Sequence, residues 1–362
     1  MLIIAEIGTS HGGDLIRARE LISAAAEAGA DCAKFQYVIA DEILHRATGS
    51  VQLPGGAVDL YQRFRLLQQP PQFFEQLMLQ CAAAGIEFLC TPFGAQSASR
   101  LNQLGVQRFK VASPELNHAP LLRQLSGYAK PVILSTGVSL LGDIERALEV
   151  LSGVPLTLLH CVTAYPAPEE DYNLRLLPLL RTLFGVSCGV SDHSLDPLLV
   201  PAVAAAQGAT VIEKHITLSR SDGGLDDPIA ITADDFAHMA AEVRRLAAQA
   251  ARLESGDNTL QSQLEREYGS RRVQAVLGDG RKRLALSERA NYGRSNRSIH
   301  ALRTIVAGSV IDADAVGVLR SEHNLNPGLS PWLLQQITGC VAARDIADGA
   351  GLVWDDIITR AE

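Results

Sequence analysis

Eight short apolar runs, alternating with longer amphipathic stretches, leave this chain few folds to choose from. The runs are Leu2–Gly8, Cys32–Tyr37, Glu87–Phe93, Arg108–Ser113, Val132–Gly137, Leu156–Cys161, Cys188–His193 and Val211–Leu218, each of strand length. Between them, Leu15–Ala28, Pro71–Ala84, Ala95–Leu104, Leu140–Leu151 and Asp196–Ala206 carry helical spacing, and Ala233–Leu253 reads as the eighth helix. Gly29, Gly85, Gly105 and Gly208 stand where a helix C-cap precedes the next strand. Eight such units over roughly 250 residues predict an α/β chain folded as a (β/α)8 TIM barrel; a doubly wound sheet also alternates, but rarely holds eight evenly spaced units. The barrel is expected over 1–255, a linker over 256–294 and a small β-rich domain over 295–362.

The long connection Ala40–Pro70 contains Pro54-Gly55-Gly56 and reads as a substrate lid or a subunit contact. The linker loses clear periodicity, and from Arg266 to Arg303 ten Lys and Arg stand against three Asp and Glu. Only Tyr268 and Tyr292 lie among those cations, too few for a stacking surface, so a solvated linker is expected and nucleic-acid binding is not. In the tail, Arg303-Thr-Ile305-Val-Ala-Gly308 is echoed by Arg344-Asp-Ile346-Ala-Asp-Gly349, and Ile311, Asp314 and Val316 by Leu352, Asp355 and Ile357, at one offset of 41. Two related halves predict a pseudo-symmetric unit, short enough to need outside support. A net charge of -8 over 362 residues gives no pull toward nucleic acid or an anionic membrane. No apolar run is long enough to cross a bilayer, and Met1–Glu6 carries no secretory signal. The six cysteines include no CxxC pair, so reduced core thiols and a cytoplasmic location are expected.

In a barrel the reactive groups gather at the C-terminal ends of the strands. Here those ends are polar in every run: Glu6, Lys34, Thr91, Lys110 with Ser113 and Glu115, Ser135, Thr163 with Tyr165, Ser191 with His193, and Glu213 with His215. Strand alternation puts Ser191 and His193 on one face, Glu213 and His215 on one face, and Asp192 and Lys214 away from them. His193 and His215, level on adjacent strands, can meet over one metal ion beside the carboxylate of Glu6; a structural role for each is the competing reading. Lys34 and Lys110, with the hydroxyls of Thr91, Ser113, Ser135 and Ser191, suit a phosphate and a carboxylate, although a hydroxyl at a strand end also serves to cap the next helix. Lys110 and Ser113 differ in parity and both face inward only across a bulge or turn. Three lysines, Lys34, Lys110 and Lys214, leave a Schiff-base aldolase as a rival, and a noncatalytic sugar- or ice-binding protein built on the tail is a further one.

These strand ends resemble the sialic acid (N-acylneuraminate or nonulosonate) synthase family over nearly the whole chain. The matching segments are Glu6-Ile-Gly8 with His11-Gly12, Lys34-Phe-Gln36, Thr91-Pro-Phe93, Lys110-Val-Ala-Ser113-Pro-Glu115, Leu134-Ser-Thr-Gly137, His160-Cys161 with Tyr165-Pro-Ala-Pro168, Gly189-Val-Ser-Asp-His193 and Ile212-Glu-Lys-His215. Asn296-Arg-Ser298, Ile305-Val-Ala-Gly308 and Leu319-Arg320 resemble a C-terminal SAF, or type III antifreeze-like, domain. The resemblance implies a transferase that joins phosphoenolpyruvate to N-acetylmannosamine or a related amino-hexose and releases phosphate. It implies His193 and His215 as ligands of a divalent ion, manganese first, with magnesium or cobalt as alternatives. Lys34, Thr91, Ser113, Ser135 and Ser191 would take the phosphate and Lys110 the carboxylate of phosphoenolpyruvate. Glu6, Thr163, Tyr165, Asp226 and Arg320 would contact the acceptor sugar, and Glu115 and Glu213, with Glu6, would serve the reacting atoms. The resemblance also implies a domain-swapped homodimer in which each tail caps the partner's barrel.

Overall fold

The computed structural model describes residues 1–53, 56–252 and 258–358. The expected barrel-to-linker boundary at 255 and 256, residues 54 and 55 of the Pro-Gly-Gly turn and the last four residues of the tail lie outside these. Strands β1 (Leu2–Gly8), β2 (Cys32–Tyr37), β3 (Glu87–Pro92), β4 (Phe109–Val111), β5 (Val132–Ser135), β6 (Leu156–Cys161), β7 (Ser187–Asp192) and β8 (Val211–His215) form one parallel sheet. Their order is β3-β2-β1-β8-β7-β6-β5-β4, and β3 and β4 pack side by side at the remaining seam, so the sheet curls into a nearly closed ring.

Period-two alternation explains both the plug of the barrel and its mouth. Ile4, Cys32, Leu89, Ile133, Leu159 and Val211 point inward and form a small apolar cluster. Two residues further along the same faces come Glu6, Lys34, Thr91, Ser135, Cys161 and Glu213, which line a cavity at the mouth. The opposite faces, with Ile3, Ala5, Phe35, Leu134, Leu158 and Ile212, pack against the helices in the main core. The helices end close to their expected limits, as at Ala95–Leu104, where Gly105 takes a left-handed φ of 86°. Chain reversal within one residue of the helix end requires that conformation, which glycine adopts without a Cβ penalty.

The segment after the eighth helix differs from expectation. It is not a solvated linker: helices Thr259–Tyr268 and Ser270–Leu277 bury Leu260, Leu264, Val273, Val276 and Leu277 against the barrel. Leu174 N–H and Arg175 N–H donate to the carbonyls of Val276 and Leu277, which joins the connector to the β6–β7 connection. Three of its cations are paired within the chain. Arg272 pairs with Asp196 at 2.7 Å and with Glu169, Arg283 with Asp279 at 2.8 Å, and Arg297 with Glu115 at 2.9 Å.

The tail contains the antiparallel pair β9 (Arg297–Ala301) and β10 (Val316–Arg320). The repeated halves meet where Ile305 and Ile346 bridge antiparallel, both buried in the tail's own core. The tail lies over the mouth of its own chain's barrel. Arg320 bridges to Leu44, His45 contacts Asp348 at 3.0 Å, and Asn324 Nδ2 donates to the carbonyls of Thr48 and Ser50 at 2.6 and 2.8 Å. The support that a short unit needs thus comes from the long β2 connection and the barrel mouth of the same chain.

Candidate active site

A cavity of about 500 Å³ occupies the mouth, lined by residues from every barrel strand or the turn that follows it, with Phe64, Asp226 and Arg320 added from outside the ring. Lys34 Nζ lies 2.8 Å from Glu6 Oε2 and 3.5 Å from Glu213 Oε2. Lys110 Nζ donates to Ser135 Oγ at 2.7 Å and lies 3.7 Å from Glu213 Oε1. Ser191 Oγ donates to the same Glu213 oxygen at 2.8 Å, and Gln36 Nε2 to Glu6 Oε1 at 2.8 Å. The parity conflict between Lys110 and Ser113 is resolved because β4 ends at Val111 and Ser113–Glu115 is a 3-10 turn. Ser113 Oγ then accepts from Gly137 N–H at 3.0 Å.

These charges are buried at the mouth of the ring, so burial and their mutual pull decide their states. Burial alone would lower the Lys34 ammonium, but Glu213 and Glu6 hold it above its ordinary value. Burial dominates at Lys110 and lowers it despite Glu213, with Lys34 adding repulsion. Burial would raise Glu213, but Lys110 and Lys34 keep it below the usual carboxylate range. Asp226 is pushed up to about 6 by burial and by Glu6. Thr91 Oγ1, Thr163 Oγ1 and Glu213 Oε2 are buried without a hydrogen-bond partner. Native interiors rarely leave such atoms unpaired, and a bound ligand is one way to satisfy them.

His193 and His215 face the same cavity, with ring centroids 5.6 Å apart. His193 Nδ1 lies 2.9 Å from the carbonyl of Val162, an acceptor only, so Nδ1 carries a proton and Nε2 is the atom left to meet an ion. Burial, with His193 beside it, holds His215 well below its ordinary pKa and thus neutral, the state a metal ligand needs. Tyr165 stacks on His193 at 4.3 Å. Among the described residues no group of three or more His, Cys, Asp or Glu forms a ligand cluster. The two imidazoles fit a divalent ion that keeps its other positions open. Lys214 faces the other way, paired with Asp192 at 2.5 Å outside the cavity, as alternation requires.

Two expected site residues sit apart from the cavity. Glu115 is fully buried, its Oε1 held by Arg297 at 2.9 Å and Arg320 at 2.6 Å, and it does not line the mouth. Thr163 lies behind the cavity, where its Oγ1 crowds the space beside Gly137; a Cβ at Gly137 would come within 2.1 Å of it. Sequence reasoning missed Glu288, in the connector. Its buried Oε1 accepts from Val138 N–H and Thr163 N–H, each at 2.7 Å. Asn296 Nδ2 donates to the Val138 carbonyl at 3.0 Å. Val138 has φ 43°, a left-handed conformation that a β-branched residue adopts only when its surroundings impose it. Connector and tail thus clamp both polar groups of a strained residue just beyond Ser135. Glu288→Ala leaves two buried donors unpaired and should cost about 2–4 kcal/mol in urea unfolding. Glu288→Gln, which keeps the accepting oxygen, should recover most of it; equal loss in both variants would exclude the clamp.

The profile of the NeuB family matches residues 21–254, and that of the SAF domain matches residues 296–358. The spore coat polysaccharide biosynthesis protein SpsE of Bacillus subtilis is 32% identical, over 99% of this chain and 94% of its own. Its crystal structure superposes with a TM-score of 0.82, covering 99% of this chain and 96% of that one. An N,N'-diacetyllegionaminic acid synthase of Campylobacter jejuni is 31% identical over 95% of this chain and 96% of its own. A pseudaminic acid synthase of the same species is 30% identical over 98% and 96%. The helices of the described residues include none long and apolar enough to cross a membrane. Barrel, tail and mouth together place the chain in the NeuB family of phosphoenolpyruvate-dependent nonulosonic acid synthases, transferases that here carry a C-terminal SAF domain.

Proposed function

We propose that the chain condenses phosphoenolpyruvate with the open-chain aldehyde of an N-acylated amino-hexose, N-acetylmannosamine or a related sugar, to give a nine-carbon sugar acid. One observation supports it above the rest: two lysines with hydroxyls at their side, and two imidazoles, share one cavity of about 500 Å³. In this reading Lys34, Thr91, Ser113, Ser135 and Ser191 hold the phosphate and Lys110 the carboxylate. Glu6, Tyr165, Asp226 and Arg320 face the sugar, and Thr163 supports that side from behind. Carbon 3 of phosphoenolpyruvate bonds to the aldehyde carbon, water adds at carbon 2, and inorganic phosphate leaves. Glu213 and Glu6, both at the cavity wall, are placed to handle protons, whereas Glu115 acts through the two guanidinium groups it holds. A divalent ion on His193 and His215, manganese by preference, would supply Lewis acidity toward the aldehyde oxygen. Holding both reactants face to face provides much of the acceleration. The domain-swapped homodimer implied by the family resemblance would exchange tails that deliver the same Arg320 to the partner's mouth.

Phosphate release should require phosphoenolpyruvate, amino sugar and divalent ion together, with a product mass equal to sugar plus pyruvate. Release that proceeds unchanged without sugar would overturn the reading. The lowered Lys110 ammonium, buried at the cavity, favours one alternative, a Schiff-base aldolase. Borohydride trapping of a substrate on Lys110 would establish that alternative; no adduct, with phosphate released, rejects it.

A further inference from the structure

We infer that a second pocket, outside the barrel ring, binds a small oxyanion that carries its own hydroxyl, of which hydrogen phosphate is the simplest. This goes beyond the function just proposed and does not rest on it. The pocket has a volume of about 190 Å³ and lies between the connector and the end of β6. Two of the side chains that line it lack partners, in opposite senses. His160 stands one residue before Cys161 on β6, so alternation turns it to the outer face of the ring, where it is 4% exposed. Its Nε2 meets the carbonyl of Tyr172, an acceptor only, so Nε2 carries the proton. Burial, with Lys282 near it, brings the ring down to about 3, so it is neutral and Nδ1 is an acceptor. That Nδ1 is buried without a hydrogen-bond partner and needs a donor. Lys282, from the connector, has donors only. Its Nζ makes one long contact, 3.4 Å to the Thr136 carbonyl, and among the described residues no carboxylate is hydrogen-bonded to it.

The carboxylates that border the pocket are committed elsewhere or stand at its rim. Asp171 Oδ2 accepts from the N–H and the hydroxyl of Ser287 at 3.1 and 2.6 Å. Glu288 takes the amides of Val138 and Thr163 on one oxygen and that of Ala285, at 3.3 Å, on the other. Glu170 is exposed at the rim, as is Arg289. One kind of ligand serves both unpartnered groups: a hydroxyl that donates to His160 Nδ1, next to an anionic oxygen that accepts a charge-assisted bond from Lys282. An anion beside Lys282 would also favour its charged form, which burial disfavours. A neutral sugar lacks the charge. Sulfate lacks the proton, and so does a fully ionised phosphomonoester such as phosphoenolpyruvate. Occupancy would tie the connector to β6 beside Glu288, which clamps Val138 and Thr163.

The test is equilibrium dialysis of radiolabelled inorganic phosphate against the full-length protein at about pH 7.5, where phosphomonoesters have largely lost their last proton. Saturating phosphoenolpyruvate, without amino sugar, occupies the barrel mouth and nothing turns over. One phosphate per chain is expected to stay bound. Arsenate, which keeps a proton, should displace it, and sulfate at least about tenfold less well. Displacement by 2-hydroxypropionate at lower concentration than by arsenate would uphold the site and assign it to a hydroxy acid in place of phosphate. Lys282→Met should weaken the retained phosphate by at least about tenfold and leave the Kd for phosphoenolpyruvate unchanged, and Lys282→Arg should keep part of the binding. The comparison of arsenate with sulfate is read on the unaltered protein, so it holds whatever a variant does to folding. No phosphate retained by the unaltered protein, equal displacement by arsenate and sulfate, or undiminished binding in a folded Lys282→Met would each overturn the inference and leave the synthase reading standing.

Discussion

His193→Ala is expected to lower divalent-dependent phosphate release by a factor of about 10³ or more, equivalent to at least ~4 kcal/mol of barrier. The geometry fixes why the loss should be so large. The Val162 carbonyl sets the tautomer and aim of the ring, leaving Nε2 directed away from the backbone. The second imidazole, His215, is kept neutral by burial, and among the described residues no group of three or more His, Cys, Asp or Glu gathers there to compensate for a loss. If the two imidazoles hold the ion as proposed, removing one should abolish its tight binding as well as the rate. Manganese binding followed by electron paramagnetic resonance separates this from a packing defect, since alanine also removes the ring on which Tyr165 stacks. Tyr165→Ala, which removes the stacking but neither ligand, should retain manganese binding. Unaltered activity of His193→Ala in chelated buffer would remove the ion from the reaction.

The barrel was legible because two periodicities act on the same strands. Short apolar runs locate the strands, and alternation within them puts Ile4 in the plug and Glu6 at the mouth. Lys214 was assigned outward by that rule alone, and it pairs with Asp192 there. The rule fails where a strand stops. Glu115 falls on a 3-10 turn after β4, beyond the reach of strand parity, and its carboxylate turns toward two arginines from the tail. The connector was read as solvated because Leu260, Leu264, Val273 and Val276 are separated by glutamine, glutamate and arginine, so the buried stripe is narrow. Glu288 carries no signal at all. A buried carboxylate accepting from two strand-end amides looks, in sequence, like any surface glutamate. Phe64 was hidden for a related reason: it belongs to a connection whose turn chemistry marks a loop without saying which side chain reaches the cavity.

Arg297→Ala is expected to destabilise the chain by about 3–5 kcal/mol and to raise the KM for the acceptor more than that for phosphoenolpyruvate. Arg297 has a side chain of 0% exposure, and its fork joins four parts of the chain. Nε and Nη2 donate to Glu115 Oε1 at 3.1 and 2.9 Å, and Nη2 to the Phe93 carbonyl at 2.9 Å. Nη1 reaches the carbonyls of Glu42 at 2.5 Å and Val318 at 3.2 Å. Burial brings the guanidinium down to about 10, so it remains charged at neutral pH. Among the described residues, alanine would leave Glu115 buried with Arg320 as its remaining ion-pair partner, and would take this donor from the carbonyls of Glu42, Ile43, Phe93 and Val318. Arg320 would then be drawn toward the vacated side of Glu115, away from the cavity it lines, which is why the acceptor should feel the change first. Arg297→Lys restores a charge but not the planar fork, and should recover less than half of the lost stability. The decisive measurement is a double-mutant cycle with Glu115→Gln. A coupling of about 2 kcal/mol or more between the two positions is expected, because each single change strands the other group. Additive effects, together with acceptor and phosphoenolpyruvate KM values that move equally, would mean that Arg297 only fills space at the junction and does not set the position of Arg320.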